Sequence, residues 1–240
     1  MIFIEGFDLW NNISLNDAIN IQNSLKNNIV IKNNNDNFKT IAGVDLSYYK
    51  NNNIEIGFCS IFVLDYNTKE VIENKYTIGK VNIPYIAGCL AFRELPLIIK
   101  TVKKLECIPD LYIFDGNGYL HPRNMGIATH ASFYLKKPTI GVAKSYYKFF
   151  EFDFKNIENK FGAYKDIIYN NIIYGRVLKT QKDVKPIFVS IGNYIDLERC
   201  TSIVLDFITI ESHIPLPIRL ADIQTHKLRK EYILNNKGEI

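Results

Sequence analysis

One apolar run in this chain ends in a carboxylate and is followed at once by a loop with two glycines. The run is Leu111-Tyr-Ile-Phe-Asp115, and the loop continues as Gly116-Asn-Gly118. Four apolar residues bounded by turn residues are typical of an interior β-strand. Glycine has no side chain to stop a ligand from approaching the backbone. The pattern therefore predicts a buried strand that delivers Asp115 to its open end, although a strand followed by an ordinary polar turn has the same pattern.

A second carboxylate interrupts another apolar segment. Asp45 follows Ile41-Ala-Gly-Val, so it lies in a strand that is otherwise suited to burial. A lone carboxylate in such a place is costly or has a shifted pKa, and it needs a partner. That partner is either a basic side chain in a structural salt bridge or a metal ion shared with Asp115 on an adjacent central strand. Carboxylate oxygens suit Mg²⁺, which is commonly held by one or two carboxylates plus substrate phosphate.

Composition excludes several classes of protein. The 240 residues include 47% hydrophobic residues and carry a net charge of only +4, which favours a globular protein over a disordered one. The four cysteines show no Cys-x-x-Cys spacing, so neither a zinc site nor a disulfide framework is predicted. The first eight residues do not resemble a signal peptide, and no apolar run is long enough to span a membrane. We expect a single domain over residues 1–240, a cytoplasmic monomer without a membrane partner.

Periodicity and turn residues predict an α/β protein. A helix is expected after Ser14, which precedes an acidic first turn. Three β-rich runs near 40–49, 54–66 and 70–79 are joined by short polar connections, as in an antiparallel meander.

The second half of the chain alternates between the two kinds of element. The expected elements are a helix after Gly88, a strand at 111–115, a helix near 124–135, strands at 138–143 and 187–191, and a helix from about Asp196. Pro96 either kinks the first of these helices or begins a new one. This order predicts a mixed β-sheet, with an antiparallel meander followed by parallel strands and helices on both faces. It is compatible with the RNase H-like fold.

The order and spacing of these segments resemble the endonuclease V family, the deoxyinosine 3′ endonucleases. The resemblance runs from about residue 19 to residue 226 and includes the segments around Asp45 and Asp115. It implies an RNase H-like fold and a metal-dependent DNA-repair endonuclease acting on DNA that contains deoxyinosine. In this family the second phosphodiester bond 3′ to the lesion is cut, leaving 3′-hydroxyl and 5′-phosphate ends.

The resemblance also implies catalytic roles. Asp45 and Asp115 would be the principal ligands of Mg²⁺, with Mn²⁺ able to replace it, and Glu94 would be a further ligand. Lys144 would stabilise phosphate charge. Asp222 would be the fourth acid, at a place where many bacterial relatives carry His, so the number of metal ions stays open. From the residues alone, Glu94 and Lys144 would be solvated surface side chains.

A second set of residues would contact the substrate. In the family, a Pro-Tyr-Ile segment is a wedge that fills the gap left when the damaged base is turned out of the helix, and here it carries Tyr85. Turning out a base costs least when it is mispaired. The other expected contacts are Gly88, Leu90, Arg93, Gly116, Gly118, His121, Arg123 and Gly126. Without the resemblance, Tyr85 would be a core aromatic, and His121 and Arg123 would be ordinary loop residues.

Two alternative functions stay open. The chain could be an inosine-specific ribonuclease, because Asn117 in Asp-Gly-Asn-Gly matches motif versions found in relatives that act on RNA and in DNA enzymes. It could also be a non-catalytic nucleic-acid binder, although such a protein gains nothing from clustered acids near phosphate.

No role is predicted for the region 146–174. The remaining histidines have no supporting motif and are predicted on helix surfaces or in loops; they are His130, His213 and His226.

Overall fold

The structure is a computed structural model that describes residue 10 and residues 13–32, 37–51 and 54–236. The expectation for the first eight residues falls outside these ranges. None of the described helices is both long and apolar enough to cross a bilayer.

The described strands form one mixed sheet. In chain order they are β1 (Thr40–Asn51), β2 (Ile54–Asp65), β3 (Val71–Lys80), β4 (Leu111–Asp115), β5 (Thr139–Ala143), β6 (Tyr164–Tyr169), β7 (Ile172–Leu178) and β8 (Ile187–Asn193). Their order across the sheet is β3-β2-β1-β4-β5-β8-β7-β6. The first three strands form the antiparallel meander, and β4 and β5 run parallel to β1. The predicted mixed sheet is confirmed, and β8 returns antiparallel to β5.

Helices cover both faces of this sheet, as predicted. They are α1 (Leu15–Lys26), α2 (Leu90–Val102), α3 (Ile127–Leu135), α4 (Leu197–Asp206) and α5 (Leu216–Asn235). Side chains alternate between the faces along each strand. Val44 and Phe114 therefore belong to the core under α1, α2 and α3, while Ile41 and Ile113 belong to the core under α4 and α5.

Local sequence signals explain where several helices begin. The Ser14 side chain caps α1 by accepting a hydrogen bond from the Asp17 amide, and Asp196 caps α4 in the same way. Pro96 lies inside α2, which is continuous from Leu90 to Val102, so no new helix begins there. Pro96 has no amide hydrogen, and the helix loses one hydrogen bond at this place.

Two parts of the fold were not predicted. The hairpin of β6 and β7 lies mostly within the unassigned region 146–174 and extends the sheet beyond β8. Helix α5 covers β1, and its buried face includes the polar Thr225 among apolar residues. A polar residue on the buried face weakens the apolar periodicity that identifies a helix.

The prediction for His130 is wrong. This histidine is fully buried in α3, where its ring contacts the rings of Trp10, Phe92 and Tyr134. Neither ring nitrogen has a hydrogen-bond partner in the described part of the chain. Burial penalises the charged ring and lowers the pKa of His130 to about 3. His130 is a neutral aromatic member of the core.

Backbone contact between β1 and α5 depends on Gly43. A Cβ atom at this position would lie 2.1 Å from the carbonyl carbon of Pro217, in the first turn of α5. Only glycine permits such an approach. The contact fixes α5, and with it Asp222, over the middle of β1.

We expect Gly43→Ala to lower the free energy of unfolding by at least about 1–3 kcal/mol, because the methyl group overpacks two backbones. A matched control is Gly79→Ala, whose Cβ would meet only the end of the Leu97 side chain. Urea unfolding of both variants measures the difference. Equal stability of the two variants would contradict the proposed role of the Gly43 contact.

Candidate active site

Three carboxylates converge on one side of the sheet. Val44 pairs with Phe114 across the parallel strands β1 and β4, which places Asp45 beside Asp115. Asp222 reaches the same place from α5. Each residue has a ligand oxygen within 4.8 Å of those of the other two. We call Asp45, Asp115 and Asp222 the three-acid group, and an all-oxygen set of this kind suits a hard divalent ion such as Mg²⁺.

Lys144 neutralises part of this negative charge. It follows directly after β5, and its Nζ atom lies 2.7 Å from Asp115 Oδ2 and 3.2 Å from Asp222 Oδ1. Partial burial opposes the charged form, but the two carboxylates outweigh it and raise the pKa of Lys144. The side chain is nevertheless 42% exposed, so the ammonium can also contact a ligand from solvent.

Asp45 is the most strongly perturbed acid of the group. Burial, followed by the negative charge of Asp115, raises its pKa to about 8. The Thr225 hydroxyl lies 3.0 Å from Asp45 Oδ2 and 2.9 Å from the Asp222 carbonyl oxygen, and it donates to one of them at a time. The ionised Asp45 therefore lacks a full counter-charge, which a divalent cation would supply.

Glu94 lies outside the three-acid group but close to it. It is buried on α2 and accepts a hydrogen bond of 2.6 Å from the Tyr48 hydroxyl. Burial raises its pKa to about 7, and the nearby charge of Asp115 adds to the shift. Arg93 is buried too, and its guanidinium contacts Glu55, the Ile83 carbonyl and the Tyr48 ring. The guanidinium of Arg93, which was expected to contact substrate, is therefore bound to groups of the protein itself.

A small cavity lies next to Asp115. Its volume is about 150 Å³, on the order of a cavity that accepts one benzene-sized ring. The lining residues are Tyr85, Gly88, Leu90, Ala91, Gly116, Asn117, His121, Met125, Gly126, Ile127 and Tyr147. We call this space the Gly88 cavity. Six of the predicted substrate contacts line it, whereas Gly118, Arg93 and Arg123 do not.

Two tyrosines stand at the Gly88 cavity. Tyr85 is 66% exposed, which rules out a core aromatic. No motif predicts a role for Tyr147, whose ring is nearly parallel to that of His121, with centroids 6.0 Å apart. The only signal in the sequence was its place shortly after Lys144.

A hydrogen-bond network holds the wall of this cavity in place. The Gly88 carbonyl oxygen lies 2.8 Å from Arg123 Nη2, 2.9 Å from Gln22 Nε2 and 3.1 Å from His121 Nε2. His121 Nδ1 accepts from the amides of Arg123 and Met125, so Nε2 carries the proton and donates. Burial lowers the pKa of His121 to about 4. Arg123 and the buried Gln22, which no motif indicated, therefore fix the Gly88 backbone.

Two helices begin at the Gly88 cavity. Cys89 precedes α2 and Gly126 precedes α3, and neither helix has a side-chain cap or an acidic residue in its first turn. The first residues of both helices line the cavity. Helix N-termini present partial positive charge and backbone donors, although at α3 the Asn117 carbonyl oxygen already accepts from the Ala128 amide. The cavity therefore favours a ligand with hydrogen-bond acceptors.

The other two histidines that lacked a motif differ in position. His213 lies in the loop before α5, as predicted. His226 lies half-exposed on α5 with Nε2 3.8 Å from Asp222 Oδ1, one helical turn away. The i, i+4 spacing of Asp222 and His226 would have placed them together had α5 been predicted.

We expect Asp45→Asn to stabilise the metal-free protein at pH 8.5 but not at pH 4. The native pKa of about 8 exceeds the ordinary value of 3.8, so the stability of the unsubstituted protein falls as pH rises through this interval. The gain at pH 8.5 should be at least about 1–2 kcal/mol. Urea unfolding with a chelator at both pH values is the measurement. A stability difference between the two proteins that stays constant across pH would show that the native fold does not raise the pKa of Asp45.

Similarity to known proteins extends over most of this chain. The Endonuclease V family model matches residues 23–223. Endonuclease V of Bacillus thuringiensis subsp. konkukian is 58% identical over 213 residues, which cover 88% of this chain and 91% of that protein.

Solved structures are similar over most of the chain as well. Endonuclease V of Bacillus subtilis superposes with a TM-score of 0.91 at 48% identity, covering 98% of this chain and 100% of that one. Endonuclease V of Ciona intestinalis, solved with a 24-mer DNA containing an inosine followed by a ribo-adenosine, has a TM-score of 0.79 at 27% identity and covers 91% and 98%. The shared architecture is a nuclease fold related to RNase H. The family match covers most of the sequence, and the chain therefore belongs to the endonuclease V family.

Proposed function

We propose that this protein is a metal-dependent DNA-repair endonuclease that recognises deoxyinosine and hydrolyses the second phosphodiester bond on its 3′ side. The observation that carries the proposal is the adjacency of the Gly88 cavity and the three-acid group. Asp115 belongs to the three-acid group, and the next residue, Gly116, lines the cavity. A base held in the cavity would leave the neighbouring backbone of the same strand beside the carboxylates.

The three-acid group fits a divalent metal ion by its chemistry. Asp45 and Asp115 would be the principal ligands of Mg²⁺ or Mn²⁺, Asp222 would complete the set, and Glu94 is a further acid beside it. A bound ion would supply a metal-activated water and neutralise charge on the leaving oxygen. Nucleophilic attack by water with departure of the 3′ oxygen gives 3′-hydroxyl and 5′-phosphate ends.

The chain's own groups would assist this chemistry. Lys144 is held at Asp115 and Asp222 but is partly exposed, so its ammonium can stabilise charge on the scissile phosphate. Glu94 has a pKa of about 7 because it is buried. It can therefore hold or release a proton near neutral pH next to the reacting groups.

Base recognition follows from the chemistry of deamination. Adenine presents an amino group at C6, a donor, whereas hypoxanthine presents an oxygen there, an acceptor. The N-termini of α2 and α3 at the Gly88 cavity favour the acceptor. The ring of Tyr85 is exposed and would stack in the gap that the extruded base leaves.

An inosine-specific ribonuclease is the second candidate. The strand bound by the Ciona intestinalis relative carries a ribo-adenosine next to the inosine, so a 2′-hydroxyl is compatible with binding in that protein. A non-catalytic binder is disfavoured, because clustered carboxylates repel phosphate when no metal ion is bound. We propose that the protein acts as a monomer with one catalytic domain.

We expect Asp45→Asn and Asp115→Asn each to reduce the cleavage rate by more than about 100-fold. Loss of a residue that only supports a metal ligand reduces activity by about 10–100-fold, and loss of a ligand itself should cost more. End-labelled DNA and RNA strands with one inosine, incubated with Mg²⁺ or Mn²⁺, identify the substrate and the cut. Glu158→Gln is the control, since it neutralises an exposed acid outside the three-acid group. An abasic product, or a nick directly at inosine, would contradict the proposal.

We expect Tyr85→Ala to weaken binding of inosine-containing DNA by about 1–3 kcal/mol, the usual value of base–aromatic stacking. Binding is measured with Ca²⁺ as the probe ion. Phe161→Ala is the matched control, because Phe161 is also an exposed aromatic, 58% accessible, but does not line the Gly88 cavity. If both variants bind as tightly as the unsubstituted protein, Tyr85 is not a wedge.

A further inference from the structure

Asn117, between the two glycines, has no part in the function proposed above. It lines the Gly88 cavity. Its side-chain oxygen Oδ1 is buried and has no hydrogen-bond partner among the described residues. A buried acceptor without a donor is unfavourable, and such groups are rare in folded proteins. A ligand bound in the Gly88 cavity, which this residue lines, can supply the missing donor.

The backbone around Asn117 is fixed on both sides. Its carbonyl oxygen accepts from the Ala128 amide at 3.1 Å, in the first turn of α3. The Gly118 amide donates to Ser190 Oγ at 2.8 Å, and the Gly118 carbonyl accepts from the Gly126 amide at 3.0 Å. The loop therefore cannot readily move to find Oδ1 a partner within the protein. Asn117 presents a preorganised acceptor, which is what discrimination between similar ligands requires.

We propose that Asn117 is a specificity-determining residue whose Oδ1 accepts a hydrogen bond from N1–H of hypoxanthine. This inference rests on the proposed function. In hypoxanthine N1 carries a hydrogen, whereas in adenine N1 is an unprotonated acceptor. Adenine in the same place would oppose two acceptors and leave Oδ1 unpaired, a combination that gives strong rejection.

The helix N-termini and Asn117 would read two neighbouring positions of the same base edge. The N-termini of α2 and α3 favour an acceptor at C6, and Asn117 favours a donor at N1. Deamination of adenine changes both positions at once. Guanine shares both features with hypoxanthine, so Asn117 separates hypoxanthine from adenine and not from guanine.

The test compares two single-stranded DNA ligands, one with deoxyinosine and one with 1-methyldeoxyinosine, in Ca²⁺. Single strands are used because the methyl group also disturbs pairing, which changes the cost of extruding the base. We expect the unsubstituted protein to bind the methylated strand at least about tenfold more weakly. In Asn117→Ala this ratio should fall by about tenfold, as for the loss of one good hydrogen bond. Asn117→Asp keeps the oxygen and should keep the ratio, although its added charge weakens both complexes.

Two outcomes would overturn the role of Asn117. One is an unchanged ratio in Asn117→Ala, and the other is a ratio lost equally in Asn117→Asp, which would mean that the amide group donates. Thermal unfolding confirms that the variants are folded. The proposed function fails separately, if the unsubstituted protein does not prefer the deoxyinosine strand over a deoxyadenosine strand.

Discussion

Mutual repulsion among Asp45, Asp115 and Asp222 is the constraint on which the arrangement of the sheet and of α5 depends. Their ligand oxygens lie within 4.8 Å of one another, and burial together with the negative charge of Asp115 raises the pKa of Asp45. Parallel pairing of β1 and β4 holds two of the acids side by side, and the backbone contact at Gly43 holds α5 and the third acid over them. Lys144 offsets part of the charge. A divalent ion would offset the rest, so the same strain that destabilises the metal-free fold favours metal binding.

One short loop joins the Gly88 cavity to the three-acid group. Asp115 ends β4, Gly116 and Asn117 line the Gly88 cavity, and Gly118 packs against the backbone of β8. A Cβ at Gly118 would lie 2.1 Å from the Ile191 carbonyl oxygen, so the loop position is set by backbone contact. The Gly88 cavity and Asp115 cannot shift independently, because Asp115 is consecutive with the cavity residues Gly116 and Asn117. This coupling would give the proposed cleavage a fixed offset from the base.

The sequence predicts the parts of this protein that carry strong local signals. Apolar runs ending in acids identify β1 and β4, and the side-chain cap of Ser14 identifies α1. The sequence does not predict α5, because the buried face of this helix carries the polar Thr225, which weakens the apolar periodicity. The Thr225 hydroxyl lies within hydrogen-bond distance of Asp45. Nor does the sequence predict that Arg123 turns inward to Gly88, since its partner Gln22 lies about a hundred residues away. Long-range hydrogen bonds leave no periodic pattern in a single sequence.

Anomalous diffraction from crystals grown with Mn²⁺ and an inosine-containing strand tests the central claim most directly, namely that the three-acid group and the Gly88 cavity form one site. The account predicts manganese bound by oxygens of Asp45 and Asp115, with the inosine base in the cavity beside Gly116 and a backbone phosphate between them. Manganese bound elsewhere, or an inosine base outside the Gly88 cavity while the acids hold metal, would contradict it.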